Sequence, residues 1–410
     1  MTLAGSYCKA KPLAHRYSGS MTSLEPSPSA APATRIVDLG AIARNIGRIA
    51  RLNPTPILAV VKADAFGHGI VEVSRTAIEA GATWLGVANI EEALQIRAAG
   101  ISAPVLCWLT DPWSNFRAAL NAGITLSCAN IETFRAVCAV GLPADIHLEL
   151  DTGMSRGGAS AEQWDELFAA AATVATSALA TSTAASSAPV TVTGLWSHLA
   201  LAANPDAAAT ADQVRVFESG IARARGYGLA PKILHLANSA AALEHSGTWF
   251  DLLRCGAALY GIETVTGRNH GLEPAMRVVS RVAQLKRVPA GTGVSYHHSW
   301  VSQVSTTLAL VPVGYGDGVP RHLSPGMEVV IGGIRHPVVG AISMDQFVVD
   351  VGDAQVFLGD EVLLLGSAAL GEPDAQEWAD KSGTIAHEIL TGLGGRMGRK
   401  HSNQSRGPSS

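Results

Sequence analysis

A parallel (β/α)8 TIM-like barrel followed by a mostly-β domain is the α/β fold that this 410-residue sequence predicts. Three observations point to it. From residue 57 to about 262, eight short apolar runs alternate with amphipathic helical patterns. No GxGxxG follows the first run, as a doubly wound sheet would favour; the glycine string at 392–395 ends a helical pattern and reads as a C-cap. After about residue 275 the apolar runs shorten and Gly and Pro separate them, the texture of an all-β domain.

The elements follow in order. Residues 1–34 are polar, rich in Ser, Pro and Ala, and lack the apolar core of a signal peptide. They read as a disordered extension, with Met21 an alternative start. The run 35–39 stands alone before the barrel and is placed as a strand added to the β domain. The barrel takes residues 35–275, with strands expected at 57–62, 84–88, 105–109, 125–128, 145–150, 190–198, 232–236 and 252–259. Residues 173–189 are almost entirely Ala, Ser and Thr and read as a surface loop. The β domain takes residues 276–400, with strands at 278–288, 306–313, 327–331, 336–341, 346–351 and 361–365 and a closing helix at 384–393. Residues 401–410 read as a disordered polar tail.

Composition bounds the function. A chain with 47% hydrophobic and 16% charged residues fits a well-packed globule of two domains. A net charge of −4 offers no polyanion-binding surface, so nucleic acid is not an expected partner. Five scattered cysteines without a CxxC pair suggest neither a disulfide framework nor a metal site, and the expected compartment is a reducing cytoplasm. No stretch reaches the ~20 apolar residues needed to span a bilayer, so no membrane is expected.

Chemistry is expected at the C-terminal ends of the barrel strands. Lys62 ends the first, in the string AVVKADAFGHG. Desolvating an ammonium is expensive, and the same desolvation makes lysine a nucleophile or Schiff-base former. Residue type alone leaves a structural salt bridge and a catalytic role both open. Arg156 follows the fifth strand, His198 ends the sixth, Ser239 follows the seventh and Arg254 lies in the eighth. Singly, His198 reads as a core histidine and Ser239 as a helix N-cap. Together they describe a cationic pocket for phosphate and carboxylate.

The lysine string closely resembles that of bacterial alanine racemases, which depend on pyridoxal 5'-phosphate (PLP). The resemblance spans roughly residues 35–400 and includes 151–156, 235–241, 253–261, 293–296, 313–321 and VGAISMDQ at 339–346. It implies racemisation of L- and D-alanine, supplying D-alanine for peptidoglycan, by a homodimer whose active sites are shared between subunits. It implies that Lys62 binds PLP covalently and moves a proton at one face of the α-carbon. Tyr296 would be the acid/base at the opposite face. Arg156 would fix the substrate carboxylate, Met344 would touch substrate through its backbone, and Asp345 would support it. Ser239, Gly256 and Ala257 would hold the phosphate, and His198 would link Tyr296 to Arg254. Arg254 would face the pyridine nitrogen, disfavouring transamination.

Three positions depart from that pattern. Phe66 stands where many members have tyrosine, and Gly395 where some place another. Glu149 stands where many have a lysine that becomes carbamylated; either anion would orient Arg156. A broad-specificity amino-acid racemase of the same fold is the nearest rival reading. A non-catalytic PLP-binding barrel is disfavoured by the β domain with Tyr296, and a decarboxylase by Arg254.

Overall fold

A computed structural model describes residues 31–180, 190–204, 207–265 and 267–403. The expectations for 1–30, 181–189 and 404–410 lie outside the described residues.

Strand β1 (Thr34–Asp38) precedes eight parallel strands. These are β2 (Ile57–Val60), β3 (Trp84–Val87), β4 (Val105–Cys107), β5 (Thr125–Cys128), β6 (Ala144–Glu149), β7 (Val190–Trp196), β8 (Ile233–His235) and β9 (Leu253–Cys255). They pair in the order β8-β7-β6-β5-β4-β3-β2-β9, a nearly closed barrel. Two backbone bonds bridge the remaining gap: Asp251 N–H donates to Leu234 O at 2.9 Å and Arg254 N–H to Ala237 O at 3.0 Å. β2 and β5 are buried along their whole length, as expected of parallel strands covered on both faces.

The second sheet takes β1 together with β10 (Met276–Arg281), β11 (Gln284–Val288), β14 (Thr306–Val311), β15 (Glu328–Ile331), β16 (Ile334–Val339), β17 (Phe347–Gly352), β18 (Glu361–Leu365) and β19 (Gly398–Ser402). β12 (Gly293–Val294) and β13 (Trp300–Val301) form a separate hairpin. β1 pairs antiparallel with β10 and parallel with β19, so the run before the barrel does join the β domain.

Four expectations need correction. The run 278–288 is two strands, because β10 pairs with β18 and β11 with β14 at the other end of the sheet; the chain crosses between them at Val282 and Ala283. The segment expected as a loop from 173 stays helical to residue 180, within the helix Trp164–Ala180, where alanine favours continuation. A helix at Ala375–Ser382 was not expected; Asp374 caps it and Trp378 anchors it in the β-domain core. The tail expected from 401 is ordered at His401 and Ser402, which belong to β19.

The β domain is tied back to the turn that carries Lys62. Arg35 Nη1 on β1 donates to Gly67 O at 3.1 Å and to Leu393 O at 3.0 Å. His401 on β19 donates from Nε2 to His68 O at 2.7 Å, and Arg399 pairs with Asp64. No described helix is long and apolar enough to cross a membrane.

Gly261 closes the junction between barrel and β domain. Its φ is +82°, and a Cβ there would lie 2.2 Å from Glu273 O. Gly261→Ala therefore adds a left-handed strain to a backbone clash, and a loss of about 2 kcal/mol or more is expected. Urea denaturation reads it; a midpoint equal to wild type would show that the junction can yield.

Candidate active site

The barrel rim and the helix Ala386–Gly392 of the β domain enclose a chamber of about 1210 Å³. Lys62, Glu149, Arg156, His198, Ser239, Arg254, Gly256 and Ala257 all line it. Eight residues from the ends of five strands thus meet in one cavity.

Lys62 enters from the end of β2 on an unusual turn. Ala63, Asp64, Ala65 and Phe66 all have φ between 52° and 55°, a left-handed turn built without glycine. Each such residue costs roughly 1–2 kcal/mol, so the surroundings must hold the turn in place. Ala63 N–H donates to Glu92 Oε1 at 2.7 Å, and Ile70 N–H donates to Asp64 Oδ1 at 3.0 Å. Glu92 closes a capping box with Asn89 on the helix Ile90–Ala98 that follows β3, so one side chain caps that helix and fixes the lysine turn. Burial pushes the Lys62 ammonium's pKa down, Arg156 adds to this, and Glu92 opposes it. Lys62 Nζ sits 5.8 Å from the centre of the Trp108 ring.

Arg254 is the buried cation of the site, 5% exposed. Nη1 donates to His235 O at 3.1 Å and lies 3.2 Å from His235 Nδ1. Nη2 donates to Ser197 O at 2.7 Å and Leu236 O at 3.2 Å, and lies 3.1 Å from His198 Nδ1. The guanidinium stacks on Trp196 at 4.7 Å. Every one of these bonds uses Nη1 or Nη2; Nε–H is left for a ligand. Burial, then the positive charge of Arg254, holds His198 at a pKa of about 3, so its ring is neutral.

Ser239 opens the helix Ser239–Glu244 at its first position; the N-cap is Asn238, whose side chain accepts from Ala241 N–H. The cap therefore falls one residue before the Ser239 expected singly for it. Ser239 Oγ instead accepts from Gly256 N–H at 3.0 Å and Ala258 N–H at 3.3 Å. With both lone pairs engaged, its own O–H is free to donate into the chamber. Ala257 N–H is the first amide of the 3-10 turn Ala257–Tyr260, where turn geometry gives it no acceptor. The Phe66 ring packs beside Gly256, where a Cβ would lie 3.3 Å from its tip, and stacks on Tyr260 at 4.6 Å.

Arg156 stands exposed at the rim, on a loop shaped by Asp151 Oδ1, which accepts from the N–H groups of Gly153, Met154 and Ser155 at 2.9, 3.1 and 3.0 Å. Glu149 makes no ion pair with it among the described residues. Burial raises the Glu149 pKa to about 7, against the nearby charges of Arg254 and Arg156.

Tyr296, Met344 and Asp345 do not join the chamber of their own chain. Tyr296 is 65% and Met344 54% exposed. They sit on adjoining loops, because Ser295 Oγ donates to Ala341 O at 2.7 Å. Asp345 pairs with Arg396 at 2.6 Å. Gly395 has a φ of +56° and abuts Gly316 O, where a Cβ would lie 2.6 Å away, so it lies beside this outer face and leaves no room for a side chain. The structure also adds residues that sequence reading passed over. His235 reads as a core residue, Trp108 follows a strand end without a motif, and His387 on the helix Ala386–Gly392 lines the chamber. An Asn at 89 with a Glu three residues on is the one sequence signal that could have pointed to Glu92, and it does not encode the contact to Ala63.

Known proteins resemble the chain along almost its whole length. The family model for the alanine racemase N-terminal domain matches residues 37–264, and that for the C-terminal domain matches 275–401. The alanine racemase of Salinispora tropica is 43% identical over 362 residues, covering 87% of this chain and 95% of the relative. That of Beutenbergia cavernae is 43% identical over 379 residues, covering 90% and 98%. The crystal structure of alanine racemase from D-cycloserine-producing Streptomyces lavendulae superposes with a TM-score of 0.86 at 40% identity, covering 92% of this chain and 99% of that one.

The raised pKa of Glu149 has a definite sign. The folded state binds the proton more tightly than the unfolded chain, whose carboxyl titrates near 4.5, so wild-type stability falls as pH rises from about 4.5 through 7. Glu149→Gln lacks this titration. Its stability relative to wild type should grow between pH 5 and pH 8 by on the order of 2 kcal/mol, read by urea denaturation at each pH. A difference that is flat with pH would mean that the carboxylate is solvated.

Proposed function

This chain belongs to the alanine racemase family and is an amino-acid racemase acting on alanine, and from that premise we propose how its residues divide the work. The observation that carries the reading is Arg254: a buried guanidinium with its Nη groups engaged by protein and its Nε–H unspent, in one chamber with the Lys62 amine and the Ser239 hydroxyl.

This donor set fits PLP. Lys62 supplies an amine for the aldehyde, Ser239 O–H and the amides of Gly256 and Ala257 suit a phosphate, and Arg254 suits the ring nitrogen. When bound, PLP draws electrons from the substrate's α-carbon and so makes its proton removable. Lys62, with its pKa lowered by burial, holds the cofactor and carries a proton at one face of that carbon. Arg254 donates to the ring nitrogen but has no proton to give up, which keeps reprotonation at the α-carbon. Arg156 binds the substrate carboxylate at the rim, within the field of Glu149.

Inversion needs a second acid/base group at the opposite face. Tyr260 is the only described tyrosine of the same chain that lines the chamber, and its O–H donates to Val60 O at 2.9 Å. We assign the role to Tyr296 of a second copy of this chain, with His198 below it and Met344 beside it. The exposed Tyr296, Tyr315 and Met344, on adjoining loops of one face, support a homodimer with two composite sites. The product D-alanine would serve cell-wall synthesis. Assaying serine and lysine beside alanine separates a dedicated enzyme from one of broad specificity.

The shared site has a direct test. Lys62→Ala and Tyr296→Phe homodimers should each be nearly inactive. Unfolded and refolded together, a mixed dimer carries one site with both lesions and one intact. With random pairing about half the dimers are mixed, so activity should recover to roughly a quarter of wild type. Activity that stays at the parental level, with mixing confirmed by mass, would place Tyr296 in its own chain's chemistry.

A further inference from the structure

His147 is fully buried on β6, and nothing in the reaction as described uses it. The barrel is nevertheless shaped around its ring. The pairing of β6 with β7 shifts there: Ile146 faces Val192, but His147 faces Gly194. Such a bulge re-aims a side chain. Gly194 leaves the ring its space, since a Cβ at that position would lie 2.5 Å from His147 Cγ and Cδ2. Moreover, His147 Nε2 is buried without any hydrogen-bond partner, a state that native structures seldom tolerate.

The proton order explains that orphan. A guanidinium only donates, so His235 Nδ1, 3.2 Å from Arg254 Nη1, must accept. Burial keeps His235 neutral, so its one proton sits on Nε2. That nitrogen is 2.9 Å from His147 Nδ1, which must therefore accept in turn. The proton of His147 is then confined to Nε2, where no acceptor stands.

We propose that His147 is a positioning residue for racemisation: its Nδ1 lone pair locks His235 as the Nε2–H tautomer, and His235 Nδ1 thereby holds Arg254 Nη1 so that Nε–H is presented to the cofactor ring. The last link rests on the role given to Arg254 above. The relay also has a fixed direction. On its other side Arg254 donates from Nη2 to His198 Nδ1, so His198 keeps its proton on Nε2, the nitrogen left to act beyond the relay. The two rings at Arg254 are thus set by one donor, and His147 is the terminus that makes the inner one stable.

The test combines a tautomer measurement with a substitution series on the holoenzyme. Nitrogen-15 NMR of histidine-labelled wild type should show His235 and His147 as neutral Nε2–H tautomers from pH 5.5 to 8.5; a Nδ1–H form of His235 overturns the proposal. His147→Asn keeps an acceptor oxygen near the Nδ1 position and should preserve the His235 tautomer, with kcat within about threefold of wild type. His147→Leu removes the acceptor and should lower kcat about tenfold or more at equal cofactor content, with KM for alanine changed less than threefold. Equal losses in the two variants, or wild-type kcat in the leucine variant, overturn it. If the leucine variant does not fold, the wild-type tautomer and the asparagine variant decide. Arg254→Lys separates the two readings. If it leaves kcat unchanged, the role of Arg254 fails; if it lowers kcat while His147→Leu does not, the role of His147 fails.

Discussion

A guanidinium sealed inside a barrel is the constraint on which the rest of this active site depends. Isolated, such a charge would be expensive to bury. Arg254 is instead surrounded by three backbone carbonyls, two imidazole nitrogens and the face of Trp196. Desolvation still brings its pKa down to about 10, which leaves it cationic at neutral pH. Burial, reinforced by its charge, keeps the histidines around it neutral, and their neutrality in turn fixes which nitrogen of each accepts. The electrostatics of the chamber floor follow from one residue that can donate and cannot accept.

The opposite wall is governed by backbone strain. Four consecutive non-glycine residues in left-handed conformation would not persist in an isolated peptide. Here Glu92 secures the turn from within the barrel, while Arg35, Arg399 and His401 secure it from the second sheet. The β domain is therefore more than an appended module. Its first strand comes from before the barrel and its last from near residue 400, and both contribute side chains that brace the Lys62 turn.

The outer face of the same domain carries Tyr296 on a strained turn, with Ser295, His297 and His298 all at positive φ. Strain of this kind marks a side chain presented at a set angle, and an exposed tyrosine so presented suits a surface completed by another molecule. A single chain places Lys62 on the chamber wall and holds Tyr296 outward, which is why the proposed pair of proton-transfer groups calls for a second copy.

Much of this was legible in the sequence. All eight barrel strands were placed within a few residues, because parallel strands buried on both faces leave continuous apolar runs. Lys62, Arg156, His198, Ser239 and Arg254 were legible as a group because a barrel gathers strand ends on one rim. The division of 278–288 into two strands was not legible, since a run with no Gly or Pro to interrupt it does not say which neighbours a strand pairs with. Nor were β19 and the helix at Ala375–Ser382, whose sequences are too polar or too short to stand out until the sheet supplies their partners.

The sequence by itself determined the residue types, their spacing along the strands and the alternation that closes a barrel, because these are properties of neighbouring positions in the chain. Tertiary structure alone decided the partners. His147 and His235 are 88 residues apart, and Arg35 and Leu393 are 358 apart. No local pattern encodes such pairings. They arise when the barrel brings distant strands side by side and burial requires each polar group brought inward to find a partner.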